Sequence, residues 1–213
     1  MPCLKSNLQC QFCYQNLIGY AYRRHSMKTV FLDRDGVINR NPPDNGYVCN
    51  WADFTFIPNA LEAIRDLTQN GYYIFLATNQ AGIGREIFTE QQLTEIHRQM
   101  LAEIEAADGH IHKIYYCPHH PDAGCECRKP KPGMLLRAAH EHNINVSNTF
   151  FIGDSITDIQ AAHSARALPI LVLTGHGRDS YKRYINSDWT AKTGKPNKIF
   201  TNLYTASRWL IQS

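Results

Sequence analysis

The sequence predicts an α/β fold with a mainly parallel sheet of five or more strands and helices on both faces. Three observations support this prediction. Short β-rich segments alternate with segments whose apolar residues recur at helical spacing, which is typical of βαβ crossovers. The chain of 213 residues is 43% hydrophobic and 19% charged, an ordinary globular composition that can bury one sizeable core. Polar residues follow several predicted strands, at the sheet edge where α/β proteins bind their ligands.

Five segments are predicted as strands because each is a short run rich in apolar and β-branched residues. They cover residues 29–32, 72–77, 111–116, 149–152 and 169–173. No segment approaches the ~20 consecutive apolar residues that cross a bilayer, so we expect no membrane partner.

The helices are predicted from apolar periodicity and from start and stop signals. The first begins near Pro58, repeats an apolar residue at every third position from 61 to 67, and stops at Asn70-Gly71. Thr89 and Gln92 form a capping-box pattern for the second helix. The apolar stripe of that helix comprises Leu93, Ile96, Met100 and Ile104. Further helices are expected at about 132–142, after residue 154 and at 203–211, whereas residues 176–200 are polar and show no clear period.

The first 26 residues differ from the rest of the chain in composition. They contain Lys5, Arg23 and Arg24 but no acid, and they account for the whole net charge of +3. We therefore expect residues 1–26 to be an extension, either disordered or an over-long start, and residues 27–213 to form the domain. A targeting peptide is a less favoured alternative. The balanced charge of the domain argues against a nucleic-acid partner, whose binding needs a basic face.

Acidic residues follow two of the predicted strands. Asp33 and Asp35 come after the first strand and Asp154 after the fourth. A lone Asp-x-Asp is usually a solvated turn, but a third acid at the same sheet edge indicates an oxygen-ligand site for Mg²⁺. Thr78-Asn79 and Arg128-Lys129 follow the second and third strands. A carboxylate nucleophile, an acid/base, a hydroxyl and a lysine are the groups that phosphoryl transfer requires.

These segments resemble the four motifs of the haloacid dehalogenase (HAD) superfamily of aspartate-nucleophile phosphatases. The matching residues are Phe31–Val37, Ala77–Gln80, Arg128–Pro130 and Gly153–Asp158, within a resemblance that covers about residues 28–175. The resemblance implies that Asp33 forms an aspartyl-phosphate and that Asp35 acts as general acid and then base. It implies that Thr78 and Lys129 hold and screen the phosphoryl group.

The same resemblance implies that Mg²⁺ is bound by Asp33, Asp154 and the backbone carbonyl of Asp35. For Asp158 we favour a supporting role as a helix cap over direct ligation. No insertion large enough for a cap domain is visible, so the 34–57 loop is expected to contact the substrate. The expected substrate-binding residues are Asp33, Arg34, Asp35, Asp44, Asn45, Gly46, Tyr47, Thr78, Asn79, Gln80, Ala81, Arg128, Lys129 and Ser155.

Residues 117–127 contain three thiols and two imidazoles within eleven positions. Four nitrogen and sulfur ligands complete a tetrahedron around Zn²⁺ and leave no open position, which is typical of a structural site. The expected ligands are Cys117, Cys125, Cys127 and His119, which is preferred over His120 because it matches a Cys-x-His pattern of the resembled family. The loop leads directly into Arg128-Lys129, so the zinc is expected to support catalysis without performing it.

Seven cysteines are poorly suited to a complete disulfide framework and favour a reducing, cytoplasmic setting. We expect a monomer that acts on a small sugar phosphate. Within the superfamily, the segments Asp44–Val48 and Cys127–Leu135 resemble the branch that acts on heptose bisphosphates more than the related histidinol-phosphatase domain. A zinc-stabilised binding module without turnover is a third alternative, which the intact acids and Lys129 disfavour. Polynucleotide phosphatase activity is disfavoured by the neutral surface.

Overall fold

The strands form one wholly parallel sheet in the order β3-β2-β1-β4-β5-β6. The computed structural model describes residues 28–42, 46–186 and 194–213. The strands are β1 Thr29–Leu32, β2 Tyr73–Asn79, β3 Lys113–Cys117, β4 Phe150–Gly153, β5 Leu168–Val172 and β6 Lys198–Phe200. The chain leaves β1 toward β2 on one side and returns to β4 on the other. This reversal of strand order places a crevice beyond the carboxyl ends of β1 and β4.

Seven α-helices within the described ranges cover the sheet. They are α1 Ala60–Gln69, α2 Ala81–Gly84, α3 Glu90–Ala106, α4 Gly133–His142, α5 Ile156–Ala165, α6 Gly177–Ile185 and α7 Leu203–Gln212. Helices α1, α3 and α7 bury their apolar faces in one cluster, and α4 and α5 bury theirs in a second cluster on the opposite side of the sheet. The sheet is therefore covered on both faces, as the alternation of strands and helices predicts.

Strand β1 shows how the sequence produces this layering. Val30 and Leu32 belong to the first apolar cluster, whereas Phe31 belongs to the second. Successive side chains of a strand point to opposite faces, so a strand buried on both sides must be apolar throughout. Because β1 lies at the centre of the sheet, Asp33 enters the crevice from a rigid support.

Three elements were missed by the sequence prediction: α6, β6 and the four-residue helix α2. Only Gly177 and Ser180 are buried in α6, so this helix has no apolar stripe to reveal it. Strand β6 has three residues and pairs with β5 alone at the sheet edge. The first helix also begins at Ala60 rather than Pro58, because Asn59 adopts a left-handed conformation with φ 64°. The predicted capping box of Thr89 and Gln92 is confirmed.

The loop between β1 and α1 extends over the crevice but forms no separate domain. Its residues Val48, Phe54 and Ile57 are buried in the first apolar cluster. The described part of the chain thus contains no cap domain, as predicted. It also contains no helix that is both long and apolar enough to cross a membrane. The predicted extension, residues 1–26, lies outside the described ranges.

Candidate active site

Asp33 lies directly after β1 and is anchored by a buried lysine. Its Oδ1 accepts from the backbone amide of Arg34 at 2.7 Å, and Lys129 Nζ lies 2.9 Å from the same oxygen. Burial, together with the nearby Asp158 and Asp35 carboxylates, raises the pKa of Asp33 to about 7, although Lys129 opposes the shift. A further cation that enters the crevice would therefore stabilise the ionised form of Asp33.

Lys129 also pairs with Asp158, at 2.6 Å. Asp158 belongs to the first turn of α5, where its Oδ2 accepts from the backbone amide and hydroxyl of Ser155 in a capping box. Burial lowers the pKa of Lys129, but its two carboxylate partners outweigh burial and raise it, so the ammonium stays charged. Both oxygens of Asp158 therefore have protein partners, which supports its expected role as a helix cap beside the site.

Asp154 follows β4 and faces Asp33 across the crevice. Its Oδ2 accepts from the backbone amide of His176 at 2.7 Å. Gly36 and Gly175 approach this carboxylate so closely that a Cβ on either would lie 2.0 or 2.1 Å from Oδ2. Both glycines also have positive φ, 82° and 52°. Two backbone segments can therefore close around Asp154 only because these positions carry no side chain.

The acids fit a divalent metal ion. Carboxylate oxygens of Asp33, Asp154 and Asp158 all lie within 4.8 Å of one another. Burial, followed by repulsion from Asp158 and Asp33, raises the pKa of Asp154 well above its usual value. This group of buried carboxylates has more negative charge than Lys129 alone neutralises, and hard oxygen ligands are those that Mg²⁺ prefers.

Asp35 is held at the edge of the crevice by three polar side chains. Its carboxylate accepts from Arg34 Nη2 at 2.8 and 2.9 Å, from Asn39 Nδ2 at 2.9 Å and from Gln80 Nε2 at 2.9 Å. Burial raises the pKa of Asp35, but the Arg34 guanidinium and these hydrogen bonds outweigh it and keep the pKa below its ordinary value. The free site thus presents Asp35 as an oriented carboxylate.

The residues after β2 connect the site to the loop that carries Lys129. The Asn79 side chain accepts from the Lys129 amide at 3.0 Å and donates to the Lys129 carbonyl at 3.1 Å. Gln80 Nε2 donates to Thr78 Oγ1 at 2.9 Å, so the Thr78 hydroxyl proton remains free to donate to a ligand. The amides of Asn79 and Gln80 border the crevice but are engaged by protein groups.

A cavity of about 270 Å³ opens above these groups. It brings together all predicted substrate-binding residues that the structure describes except Ala81, which is buried at the start of α2. Asp44 and Asn45 lie outside the described residues. The sequence prediction missed several lining residues, namely Asn41, Pro42, Val48, Thr157 and His176. The first three belong to the loop from which substrate contacts were expected, whereas His176 follows β5 and has no motif that could have revealed it.

The two predicted arginines of the site border the cavity in different ways. The Arg34 guanidinium is buried and points to Asp35 and His97 rather than to open space, although the residue borders the cavity. Arg128 also lines the cavity, and its buried Nη1 has no hydrogen-bond partner among the described residues. An unpaired buried donor of this kind is costly without a ligand that accepts from it.

The predicted zinc ligands lie close together in the loop between β3 and α4, which leads to Arg128 and Lys129. Cys125 Sγ lies 3.5 Å from both Cys117 Sγ and Cys127 Sγ, and His119 Nδ1 lies 3.6 Å from Cys117 Sγ and 3.2 Å from Cys127 Sγ. A tetrahedral zinc with usual bond lengths has ligand–ligand separations of about 3.3–3.8 Å. His120 lies outside the cluster and pairs with Asp122. The four groups therefore fit a structural zinc ion.

The loop that carries the predicted zinc ligands, residues 117–127, packs against the residues that follow β2. The Gly84 amide donates to the Pro118 carbonyl at 2.8 Å, and a Cβ at Gly84 would lie 2.2 Å from the His120 backbone nitrogen. Gln80 also donates its amide to the Cys117 carbonyl at 2.8 Å. The loop is thus tied to the Thr78–Gln80 motif as well as to Lys129.

Comparisons with known proteins agree with this geometry. A haloacid dehalogenase-like hydrolase model matches residues 20–163, and a second HAD-hydrolase-like model matches residues 126–206. The chain is 40% identical over 187 residues to the D-glycero-β-D-manno-heptose-1,7-bisphosphate 7-phosphatase of Pseudomonas putida, covering 87% of this chain and 100% of that protein. The protein of the same name from Neisseria meningitidis is 38% identical over 186 residues, with 87% and 96% covered.

A solved structure is similar over the same range. It is the D,D-heptose 1,7-bisphosphate phosphatase of B. bronchiseptica complexed with magnesium and phosphate, with a TM-score of 0.80 and 34% identity. The match covers 87% of this chain and 99% of that chain.

Proposed function

The chain belongs to the haloacid dehalogenase-like hydrolase family, and we propose that it removes the 7-phosphate of D-glycero-β-D-manno-heptose 1,7-bisphosphate. The observation that supports this most directly is Asp33, a buried carboxylate anchored by Lys129 at the base of a polar cavity and facing Asp154. The similarity to phosphatases of this name along nearly their whole length supports the choice of substrate.

We propose that Asp33 is the nucleophile. Its carboxylate oxygen attacks phosphorus, and the bond between phosphorus and the sugar O7 breaks. The product is an aspartyl-phosphate, and the Thr78 hydroxyl and the Lys129 ammonium hold the transferred group. Lys129 is already oriented by Asp33 and Asp158, so it needs little rearrangement during the reaction.

Asp35 transfers the protons. A phosphate dianion beside it raises its proton affinity, so that Asp35 can carry the proton which it donates to the leaving O7. The resulting carboxylate then takes a proton from water, which attacks phosphorus and breaks its bond to the Asp33 oxygen. Inorganic phosphate leaves, and Asp33 and protonated Asp35 are restored.

Two metal ions have separate roles in this proposal. Asp33, Asp154 and the Asp35 carbonyl would hold Mg²⁺, which supplies charge neutralisation for the phosphoryl oxygens when bound. Cys117, His119, Cys125 and Cys127 would hold Zn²⁺, which stabilises the loop ending at Arg128 and Lys129. The solved relative that contains magnesium and phosphate supports the first assignment, and the tetrahedral spacing supports the second.

Arg128 is proposed to bind the 1-phosphate of the substrate. Arg128 lines the cavity, its buried Nη1 has no hydrogen-bond partner among the described residues, and Lys129 already serves the reacting phosphoryl group. A guanidinium binds two oxygens of one phosphate, which gives a bisphosphate an advantage over a monophosphate.

The proposal is tested by comparing two substrates. The purified full chain with Mg²⁺ is incubated with heptose 1,7-bisphosphate or with histidinol phosphate, and products are followed by ³¹P NMR. We expect the C7 phosphate signal to disappear while the anomeric phosphate signal remains, with slower release from histidinol phosphate. Loss of the anomeric phosphate, or preference for histidinol phosphate, would contradict the substrate assignment. Asp33→Asn protein prepared in parallel controls for contaminating phosphatases.

A further inference from the structure

His97 is a buried histidine on α3, beneath the candidate active site. It belongs to the helix whose apolar stripe contributes Leu93, Ile96 and Met100 to the core, and only 8% of its surface is exposed. A polar ring in such a position is unfavourable unless its nitrogens find partners. His97 Nε2 lies 3.2 Å from Arg34 Nη1.

The chemistry of this contact determines the state of the ring. A guanidinium can only donate, so His97 Nε2 must accept, and the ring must be neutral with its proton on Nδ1. Burial and the adjacent Arg34 charge also lower the pKa of His97 to about 3, which agrees with a neutral ring. His97 therefore serves Arg34 as a hydrogen-bond acceptor.

Arg34 joins His97 to the acid/base. Its side chain is 1% exposed, and its Nη2 donates to both oxygens of Asp35 at 2.8 and 2.9 Å. The same Nη2 lies 3.4 Å from Gln80 Oε1. The guanidinium thus connects α3 to the edge of the crevice: its Nη1 contacts His97, and its Nη2 contacts Asp35.

We propose that His97 is a positioning residue, which orients Arg34 so that its guanidinium holds the Asp35 carboxyl in place for proton transfer. This inference rests on the proposed function, in which Asp35 donates a proton to the leaving oxygen. Without an acceptor at position 97, Arg34 Nη1 would be buried without a partner and the guanidinium would turn to find one. Asp35 would then lose the geometry that proton transfer requires.

A defect in proton donation has a recognisable signature. A sugar alkoxide is a poor leaving group and needs the proton, whereas p-nitrophenolate leaves readily without it. The ratio kcat/KM reports only the steps up to aspartyl-phosphate formation, where Asp35 acts as the acid. A variant that merely weakens the fold lowers kcat/KM for both substrates alike.

The test compares His97→Leu with His97→Gln, whose amide oxygen can still accept from Arg34. With Mg²⁺ present, His97→Leu is expected to lose about 10- to 100-fold in kcat/KM on heptose bisphosphate, but less than about threefold on p-nitrophenyl phosphate. His97→Gln should stay within about threefold of the original chain on both substrates. Met100→Leu, which keeps an apolar side chain on the same buried stripe, is the matched control and should change neither value.

No loss in His97→Leu, or an equal loss on both substrates, overturns the inference. Asp35→Asn provides the reference, and if it shows no difference between the leaving groups, the acid role of Asp35 fails and this inference fails with it. A wild-type chain inactive on heptose bisphosphate would instead refute the proposed function. In that case ¹⁵N NMR of His97 still tests the contact on which the inference depends. A proton on Nε2 at neutral pH would show that this nitrogen does not accept from Arg34, and the inference would fail.

Discussion

At the level of single residues, the site is governed by an excess of buried negative charge. Asp33, Asp154 and Asp158 lie together and share one buried ammonium, that of Lys129. Burial raises the pKa of Asp33 and Asp154, whereas Asp35, with Arg34 beside it, is kept ionised. The same residue type therefore has different proton affinities within one crevice, which is the usual way a site assigns different roles to neighbouring carboxylates.

The nucleophile is tested by Asp33→Asn. We expect phosphate release to fall to background, because an amide cannot attack phosphorus to form the covalent intermediate. The substitution also removes a buried negative charge beside Lys129, so a circular dichroism spectrum should confirm that the fold persists. Near wild-type release from folded, phosphatase-free variant protein would exclude the covalent mechanism.

Substrate choice is tested by Arg128→Ala. A charge-assisted hydrogen bond contributes about 1.5–3 kcal/mol, so kcat/KM on heptose bisphosphate should fall roughly 10- to 150-fold. On heptose 7-phosphate, which lacks the second anionic group, the loss should be much smaller. Steady-state kinetics on both substrates make the comparison, and an equal loss on both would place Arg128 in support of the loop instead.

At the level of elements, the loop between β3 and α4 is stabilised from two directions. The cluster of Cys117, His119, Cys125 and Cys127, where we propose that zinc binds, lies at its base, and the Asn79 side chain binds both backbone groups of Lys129. Since backbone geometry sets the direction of a side chain, this arrangement fixes where Lys129 Nζ enters the site. With the proposed zinc bound, the loop is held both by the metal cluster and by the end of β2.

The zinc cluster is tested by Cys125→Ser. We expect the unmodified chain to copurify with about one zinc per molecule and the variant to contain far less. Loss of a crosslink of this kind costs about 2–5 kcal/mol, which corresponds to a decrease in Tm of roughly 5–15 °C for a domain of this size. Elemental analysis and calorimetry provide the two measurements.

Cys49→Ser is the matched control for that experiment. Cys49 lies outside the cluster, and its thiol donates to the Tyr47 carbonyl at 3.5 Å. Zinc content and Tm should stay unchanged in this variant. Added Mg²⁺ should not restore Cys125→Ser, because Mg²⁺ prefers oxygen ligands. Active, untreated protein without zinc would refute the assignment.

At the level of the whole molecule, the stability should be coupled to Mg²⁺. In metal-free protein the pKa of Asp33 is raised from 3.8 to about 7, so the folded chain binds more protons than the unfolded chain between these values. The free energy of unfolding contributed by this group therefore decreases as pH rises from about 4 to 7. A cation that binds the ionised carboxylates should reverse this loss.

We expect Mg²⁺ at about 100 times its Kd to stabilise the chain by about 2.7 kcal/mol, or roughly 5–10 °C in Tm. The increase should be larger at pH 8 than at pH 5, where protons compete for the same oxygens. Asp154→Asn should abolish it, whereas Asp179→Asn, which changes an exposed acid on α6, should not. Thermal unfolding with and without Mg²⁺ measures both, and an unchanged increase in Asp154→Asn would contradict the metal site.

The sequence by itself determined the fold class, most element positions and the residue types of the site. These depend on local signals: the apolar run of β1, the Thr89 capping box, the spacing of Cys117, Cys125 and Cys127, and acids placed after strands. Each can be recognised because its physical cause acts over a few neighbouring residues. Helix α6, strand β6 and helix α2 were not predicted, because α6 lacks an apolar face, β6 is a short edge strand and α2 has only four residues.

Only the tertiary structure decided which of those side chains meet. Lys129 reaches both Asp33 and Asp158, and the Arg34 guanidinium contacts Asp35 and His97. Apart from the adjacent Arg34 and Asp35, these partners lie far apart along the chain, and His97 lies on a helix face that sequence periodicity assigns to the core. Contacts between distant residues depend on strand order and helix packing, which no local pattern encodes. The network of side chains that holds Asp35 was therefore visible only in the folded chain.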